Sequence, residues 1–121
     1  MQTPPKIVVQ KFADVTVVDF QEPRLLEVQQ IDAVGEQLYR LVDQMDRKKL
    51  VLDFSKVQFL GSAAIGMLLN LHKKSAAIKG TLVLCGLKKD LMKVFEIMNL
   101  TKMLKFCANE KDALSVFGQK G

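Results

Sequence analysis

Tryptophan is absent from this chain, histidine and tyrosine occur once each, cysteine twice and proline three times. A single histidine, His72, leaves no imidazole pair for a metal site. Cys85 and Cys107 lie in apolar stretches with no second cysteine or histidine at ligand spacing, so both read as core thiols. No metal and no cofactor is implied. Apolar runs of the ~18–20 residues that a membrane span needs are missing. Met1-Gln2-Thr3-Pro4-Pro5 is not a charged-then-apolar leader. The chain therefore reads as cytoplasmic, without membrane insertion. Arginine is absent from residues 61–121, although a nucleic-acid reader would usually combine arginines with exposed aromatics. Direct nucleic-acid binding is not expected.

Catalytic signatures are missing as well. There is no phosphate-cradling loop of the P-loop or dinucleotide type. Gly61-Ser62-Ala63-Ala64-Ile65-Gly66 is not a G-x-S-x-G elbow, because its second glycine falls too late. His72 is ten residues along the same helical pattern from Ser62, roughly 15 Å at a helical rise of ~1.5 Å per residue. That separation rules the pair out as nucleophile and base, and no carboxylate pair has a catalytic context. No enzyme is expected and no catalytic residue is assigned.

What is present suits one small domain over residues 1–121, with a core of about 6–117: 49% hydrophobic and 26% charged residues in 121. The net charge of +5 is unevenly spread. Residues 1–60 hold 8 basic and 9 acidic groups, and residues 61–121 hold 10 and 4. The lysines of the second half are dispersed, which suits a solvated basic face or an acidic partner.

Lys6–Lys11 and Val15–Phe20 are short and β-branched around Phe12-Ala13-Asp14, which predicts a hairpin. Pro23 ends the second strand, and Arg24-Leu25-Leu26 reads as a short extended piece. From Gln29 the period changes. Ile31, Val34, Leu38, Leu41, Val42 and Met45 mark the inner face of a first helix that ends at Asp46-Arg47-Lys48-Lys49. Gly35 within it suggests close packing on the sheet. Leu50–Phe54 lacks a polar face and predicts a central strand.

A second helix is expected over Ser62–Ala77, its inner face Ile65, Leu68, Leu69, His72 and Ala76. Lys79-Gly80 closes it, with the glycine supplying the left-handed turn. Thr81–Gly86 predicts a strand. Leu87, Leu91, Val94, Phe95 and Met98 form a third helix face, and Met103–Phe106 a short last strand. Asn109 is an N-cap for a fourth helix that packs Ala113, Leu114 and Phe117 inward. The result is an α/β fold with a mixed β-sheet, an N-terminal hairpin plus mostly parallel strands, packed with about four α-helices.

The stretch Leu50–Gly66 organises the rest. An apolar strand breaks at Asp53-Phe54-Ser55, resumes at Phe59-Leu60 and turns on Gly61-Ser62 into a helix. That places Ser62 at a helix N-terminus, where free N–H groups favour negative charge. It reads either as an N-cap worth about 1 kcal/mol or as a modification site whose phosphate would repel an acidic or apolar partner docked there.

Leu50–Gly66, together with Gly80–Leu87, Val94–Leu100 and Glu110–Leu114, resembles the STAS family, whose founding members are bacterial anti-sigma factor antagonists. The family's Asp-Ser-Ser/Thr-Gly-Leu-Gly motif puts its phosphorylated serine on Ser62, its leucine on Ile65 and its last glycine on Gly66. Gly61, Ala63 and Ala64 replace the motif's aspartate, second hydroxyl and first glycine. The usual Gly-Glu-Leu/Ile-Asp is replaced by Phe20-Gln21-Glu22-Pro23.

The resemblance implies a STAS-like single domain that binds an anti-sigma factor and so releases a sigma factor. The partner would be a serine kinase of the histidine-kinase-like ATPase fold. Phosphorylation of Ser62 would end the complex and a phosphatase would reset it. Gly61, Ser62, Ala63, Ala64, Ile65 and Gly66 are the expected partner-binding residues. Two alternatives accompany it: a phosphorylation-independent scaffold or transporter-associated subunit, and a small-ligand or nucleotide module with Lys73 or Lys74 facing a pocket near the turn.

Overall fold

A computed structural model describes residues 7–118. Residues 1–5, the segment that does not read as a leader, and the strand start at Lys6 fall outside these residues.

The hairpin forms as expected. Strands β1 (Ile7–Phe12) and β2 (Val15–Phe20) pair antiparallel, with Ala13 in the left-handed region at φ 57°. The later main-sheet strands, β4 (Lys49–Asp53), β6 (Thr81–Cys85) and β7 (Lys105–Cys107), join parallel, giving the order β1-β2-β4-β6-β7. Strand β4 is central because Leu50, Val51 and Leu52 leave no side for water: all three are fully buried.

Two further strands, β3 (Arg24–Leu25) and β5 (Phe59–Leu60), pair parallel as a separate ribbon. Helices α1 (Val28–Asp43), α2 (Ser62–Ala77), α3 (Lys89–Ile97) and α4 (Glu110–Val116) are the helices of the described residues. The mixed sheet and four helices are those expected from the residue pattern.

Alternation along the strands divides the core in two. Val18, Phe20, Leu50, Leu52, Leu82 and Leu84 belong to the larger cluster, with Ile31, Val34 and Leu38 of α1, Leu68 and Leu71 of α2, and Leu91 and Phe95 of α3. Phe20 and Phe54 meet edge to face at 4.8 Å within it. Val15, Val17, Val51, Val83 and Cys85 form a smaller cluster with Ala113 and Leu114 of α4. Asn109 caps α4 as expected, its Oδ1 accepting a hydrogen bond from the Asp112 N–H at 2.8 Å.

Several expectations are corrected. Helix α2 is rotated: its buried residues are Ala64, Ile65, Met67, Leu68, Leu71 and Ser75, while Leu69 and His72 are half-buried and Ala76 is exposed. The helix carries apolar residues on nearly every side, so packing rather than sequence period selects the stripe. Met45 lies beyond the end of α1 and is exposed, Val94 is exposed on α3, and Met98 just after it is exposed as well. Strand β6 ends at Cys85, since Gly86 has turned to φ 74°.

Lys79, not Gly80, takes the left-handed position after α2, at φ 59°. Gly80 is required for a different reason: a Cβ there would lie 2.7 Å from the Lys48 carbonyl oxygen. Gly35 packs on α2, not on the sheet, with a Cβ position 3.1 Å from Met67 Cγ. Cys85 is buried as expected, whereas Cys107 is only half-buried, and both are free thiols.

Candidate functional site

The turn before α2 is positioned by the small ribbon. Pro23 carbonyl oxygen accepts from the N–H groups of Gln58 at 2.7 Å and Phe59 at 3.0 Å, and Leu25 carbonyl oxygen accepts from Gly61 N–H at 2.8 Å. Gly61 then caps the helix through its backbone, its carbonyl oxygen accepting from Ala64 at 3.0 Å and Ile65 at 3.2 Å. Its own φ of −84° and ψ of 165° are extended. The backbone of Leu25 and Leu26 passes 3.4 Å from where a Gly61 Cβ would stand.

Gly61 is thus the N-cap and Ser62 the first helical residue, which corrects the reading of Ser62 as the cap. No side-chain hydrogen bond closes this end, and Ser62 is exposed. A hydroxyl with no capping bond is open to modification, and a phosphate there would meet the free N–H groups of the first turn.

The six expected contact residues do not face the same way. Ser62 and Gly66 are exposed, and Gly61 and Ala63 are half-buried. Ala64 and Ile65 are core residues at 0% and 3% exposure, so neither offers a side chain to a partner. Ala64 follows the helical period inward towards the sheet. Exposed apolar side chains that pattern reading missed adjoin the turn: Leu26 and Phe59, with the Arg24 guanidinium 5.3 Å from the Phe59 ring centroid. Their signal was an apolar residue in or beside a two-residue strand, too short to show a period.

Below the turn, Lys88 Nζ donates to the Ser55 carbonyl oxygen at 2.7 Å, tying the start of α3 to the loop after β4. Asp53 Oδ1 accepts from Ser55 N–H at 2.9 Å. In register across the sheet, Asp19, Asp53, Cys85 and Cys107 form one row at the carboxyl ends of the parallel strands. Burial, then repulsion from Asp53, raises the Asp19 carboxyl above its ordinary value. Burial, then a hydrogen bond with Asp53, does the same for Glu110 at the start of α4. The Cys85 thiol is pushed up to about 12, chiefly by burial, and burial also raises Cys107. Neither thiol is a ready nucleophile at neutral pH, because the thiolate is the reactive form.

A groove of about 460 Å³ runs beside the turn between α1 and α2, lined by Ile31, Asp32, Gly35, Glu36, Tyr39, Ala63, Gly66, Met67 and Asn70. Its charged residues are carboxylates. Lys73 is not part of the lining, and Lys74 is held by Asp43 at 2.8 Å, with its ammonium 5.2 Å from the Tyr39 ring centroid. That arrangement does not suit the nucleotide expected of a pocket faced by lysine. Among the described residues no group of three or more His, Cys, Asp or Glu side chains is placed to hold a metal ion. No helix among them is long and apolar enough to cross a membrane.

A family model described as the STAS domain matches residues 6–113. A Bordetella bronchiseptica protein, BtrV, named as a candidate anti-sigma factor antagonist, is 31% identical over 88 residues, covering 70% of this chain and 76% of its own. The crystal structure of a candidate anti-sigma factor antagonist from Thermotoga maritima superposes with a TM-score of 0.82 at 17% identity, over 93% of this chain and 95% of that one. The phosphorylated form of the Bacillus cell-fate determinant SpoIIAA superposes with a TM-score of 0.73 at 16% identity, over 93% and 99%. At such identities the structural likenesses speak to fold.

Proposed function

Because this chain belongs to the STAS domain family, we propose that it is an anti-sigma factor antagonist, acting by binding and not by catalysis. As a single-domain cytoplasmic protein, it binds an anti-sigma factor through the exposed turn at Ser62 and so frees a sigma factor. The partner is a serine kinase of the histidine-kinase-like ATPase fold, and a phosphatase restores the binding form. The observation that carries this reading is Ser62 itself: exposed, first in α2 and without a capping bond. Its relative BtrV is named for the same role, and SpoIIAA, of like fold, has a phosphorylated form.

Phosphate on Ser62 adds close to two negative charges at the helix N-terminus, which the helix tolerates. A partner packed over Gly61, Ser62, Ala63 and Gly66 would have to desolvate that dianion, so the complex dissociates. The experiment is a comparison of affinities for the anti-sigma kinase across the native protein, Ser62→Ala and Ser62→Asp. Ser62→Ala should bind like the native protein and Ser62→Asp at least tenfold more weakly. Equal affinity for all three sinks the switch and leaves a constitutive STAS binding module.

A further inference from the structure

We propose that the groove between α1 and α2 receives a basic side chain, arginine or lysine, from the protein that docks on the Ser62 turn. The inference deepens the partner-binding reading and rests on it for the identity of the occupant as a protein.

The first observation is steric. Gly66 lies within α2, where glycine costs about 1 kcal/mol against alanine, yet a Cβ at this position would meet nothing within 4 Å. No packing among the described residues requires this glycine. Gly35 opposite is a different case, needed for the approach of Met67. Gly66 instead leaves the groove floor open to a group that comes close to the helix backbone.

The second observation is electrostatic. Gly35 meets Met67, and Asp43 meets Lys74, so the two helices run parallel and Asp32 stands level with Ala63. Asp32 and Glu36 are exposed, one helical turn apart on the groove side of α1. Among the described residues neither has an ion-pair partner, whereas Asp43 at the far end does. Two unpaired carboxylates on an open groove, in a chain of net charge +5, attract a cation and reject an anion. Tyr39 and Met67 provide apolar walls for its alkyl stem, and Asn70 adds an amide.

The groove is continuous with the turn. Ser62 and Gly66 are four residues apart, on one side of α2, so a chain crossing Ser62 reaches the groove directly. The same geometry gives phosphate a second effect: an anion on Ser62 competes for a guanidinium that would otherwise sit between Asp32 and Glu36.

The test is an NMR titration of the full ¹⁵N-labelled chain with N-acetyl-arginine amide, using N-acetyl-glutamate amide at equal ionic strength as control. Saturable shifts centred on Gly66, Asn70 and Gly35 with arginine, absent with glutamate, are expected. They should be lost in the Asp32→Asn/Glu36→Gln double variant, whose changes are on the surface, and in Gly66→Leu, which fills the groove. No saturable shift, shifts spread over other acidic residues, or an unchanged response in the double variant overturns the proposal. The probe requires neither partner nor phosphate. Its failure therefore removes the groove alone, while indifference of the anti-sigma kinase to Ser62→Asp removes the switch alone.

Discussion

Gly86 lies against Asp53: a Cβ on Gly86 would stand 2.9 Å from Asp53 Oδ1 and 3.0 Å from the Ser55 nitrogen. The contact joins the ends of two central strands, and Gly86 has a φ of 74° that L side chains rarely adopt.

Gly86→Ala should therefore lower stability by about 2 kcal/mol, from left-handed strain and the displaced carboxylate together. Gly66→Ala should raise it by about 1 kcal/mol, since its Cβ enters open space on a helix. Urea denaturation of both variants checks the pair. Equal effects would mean that the two glycines are not held for different reasons.

Glu110 and Asp19 both have raised pKa values beside Asp53, chiefly from burial. A carboxyl whose folded pKa is raised binds its proton more tightly in the folded state, so its contribution is present below the ordinary value and lost as pH rises through the folded one. Asp14 works oppositely. Its hydrogen bond from Lys49 lowers its pKa, and that contribution is lost as pH falls. Glu110→Gln should accordingly raise the melting temperature at pH 7 and flatten its decline above pH 4.5, by under about 1 kcal/mol given partial exposure. Thermal melts from pH 4 to 8 read this directly, and a less stable variant at neutral pH would contradict it.

The rotation of α2 distinguishes neighbours. Leu71 is fully buried and His72 only half so. Leu71→Ala should cost about 3 kcal/mol, and His72→Ala no more than about 1 kcal/mol. Comparable losses in denaturant melts would restore the inward face expected from spacing.

Two helix starts make a final pair. Asn109→Ala removes a side-chain cap and should cost about 1 kcal/mol. Ser62→Ala removes none, and its stability should stay within about 0.5 kcal/mol of the native protein. Should Ser62→Ala prove as costly as Asn109→Ala, the hydroxyl has a structural duty.

Residues whose pattern had one solution were legible in the sequence. Strands β1 and β2 are short and β-branched around one break, Leu50-Val51-Leu52 allows only burial, and α1 has a clear polar side. These fix the strand and helix order, and with it the place of Ser62 before α2. Helix α2 was not legible in rotation, because Ala63, Ala64, Ile65, Met67, Leu68, Leu69 and Leu71 fit several stripes equally well. The resemblance puts Ala64 and Ile65 on the contact surface because it takes the whole turn of residues 61–66 together. Lys79-Gly80 misled because the glycine is demanded by the Lys48 carbonyl, a neighbour 32 positions away in the chain. The groove was unreadable for a related reason: Asp32 and Gly66 share it only after α1 and α2 have packed side by side.

The ribbon of β3 and β5 has a further consequence. The Ser62 turn is supported by Pro23 and Leu25, which are separated from Gln58 and Gly61 by the whole of α1 and β4. A chain that has not yet emerged as far as Gly61 lacks one half of that support, and the pairing is non-local. The shape of the turn therefore reports on contacts made only once α1 and β4 lie between its two halves.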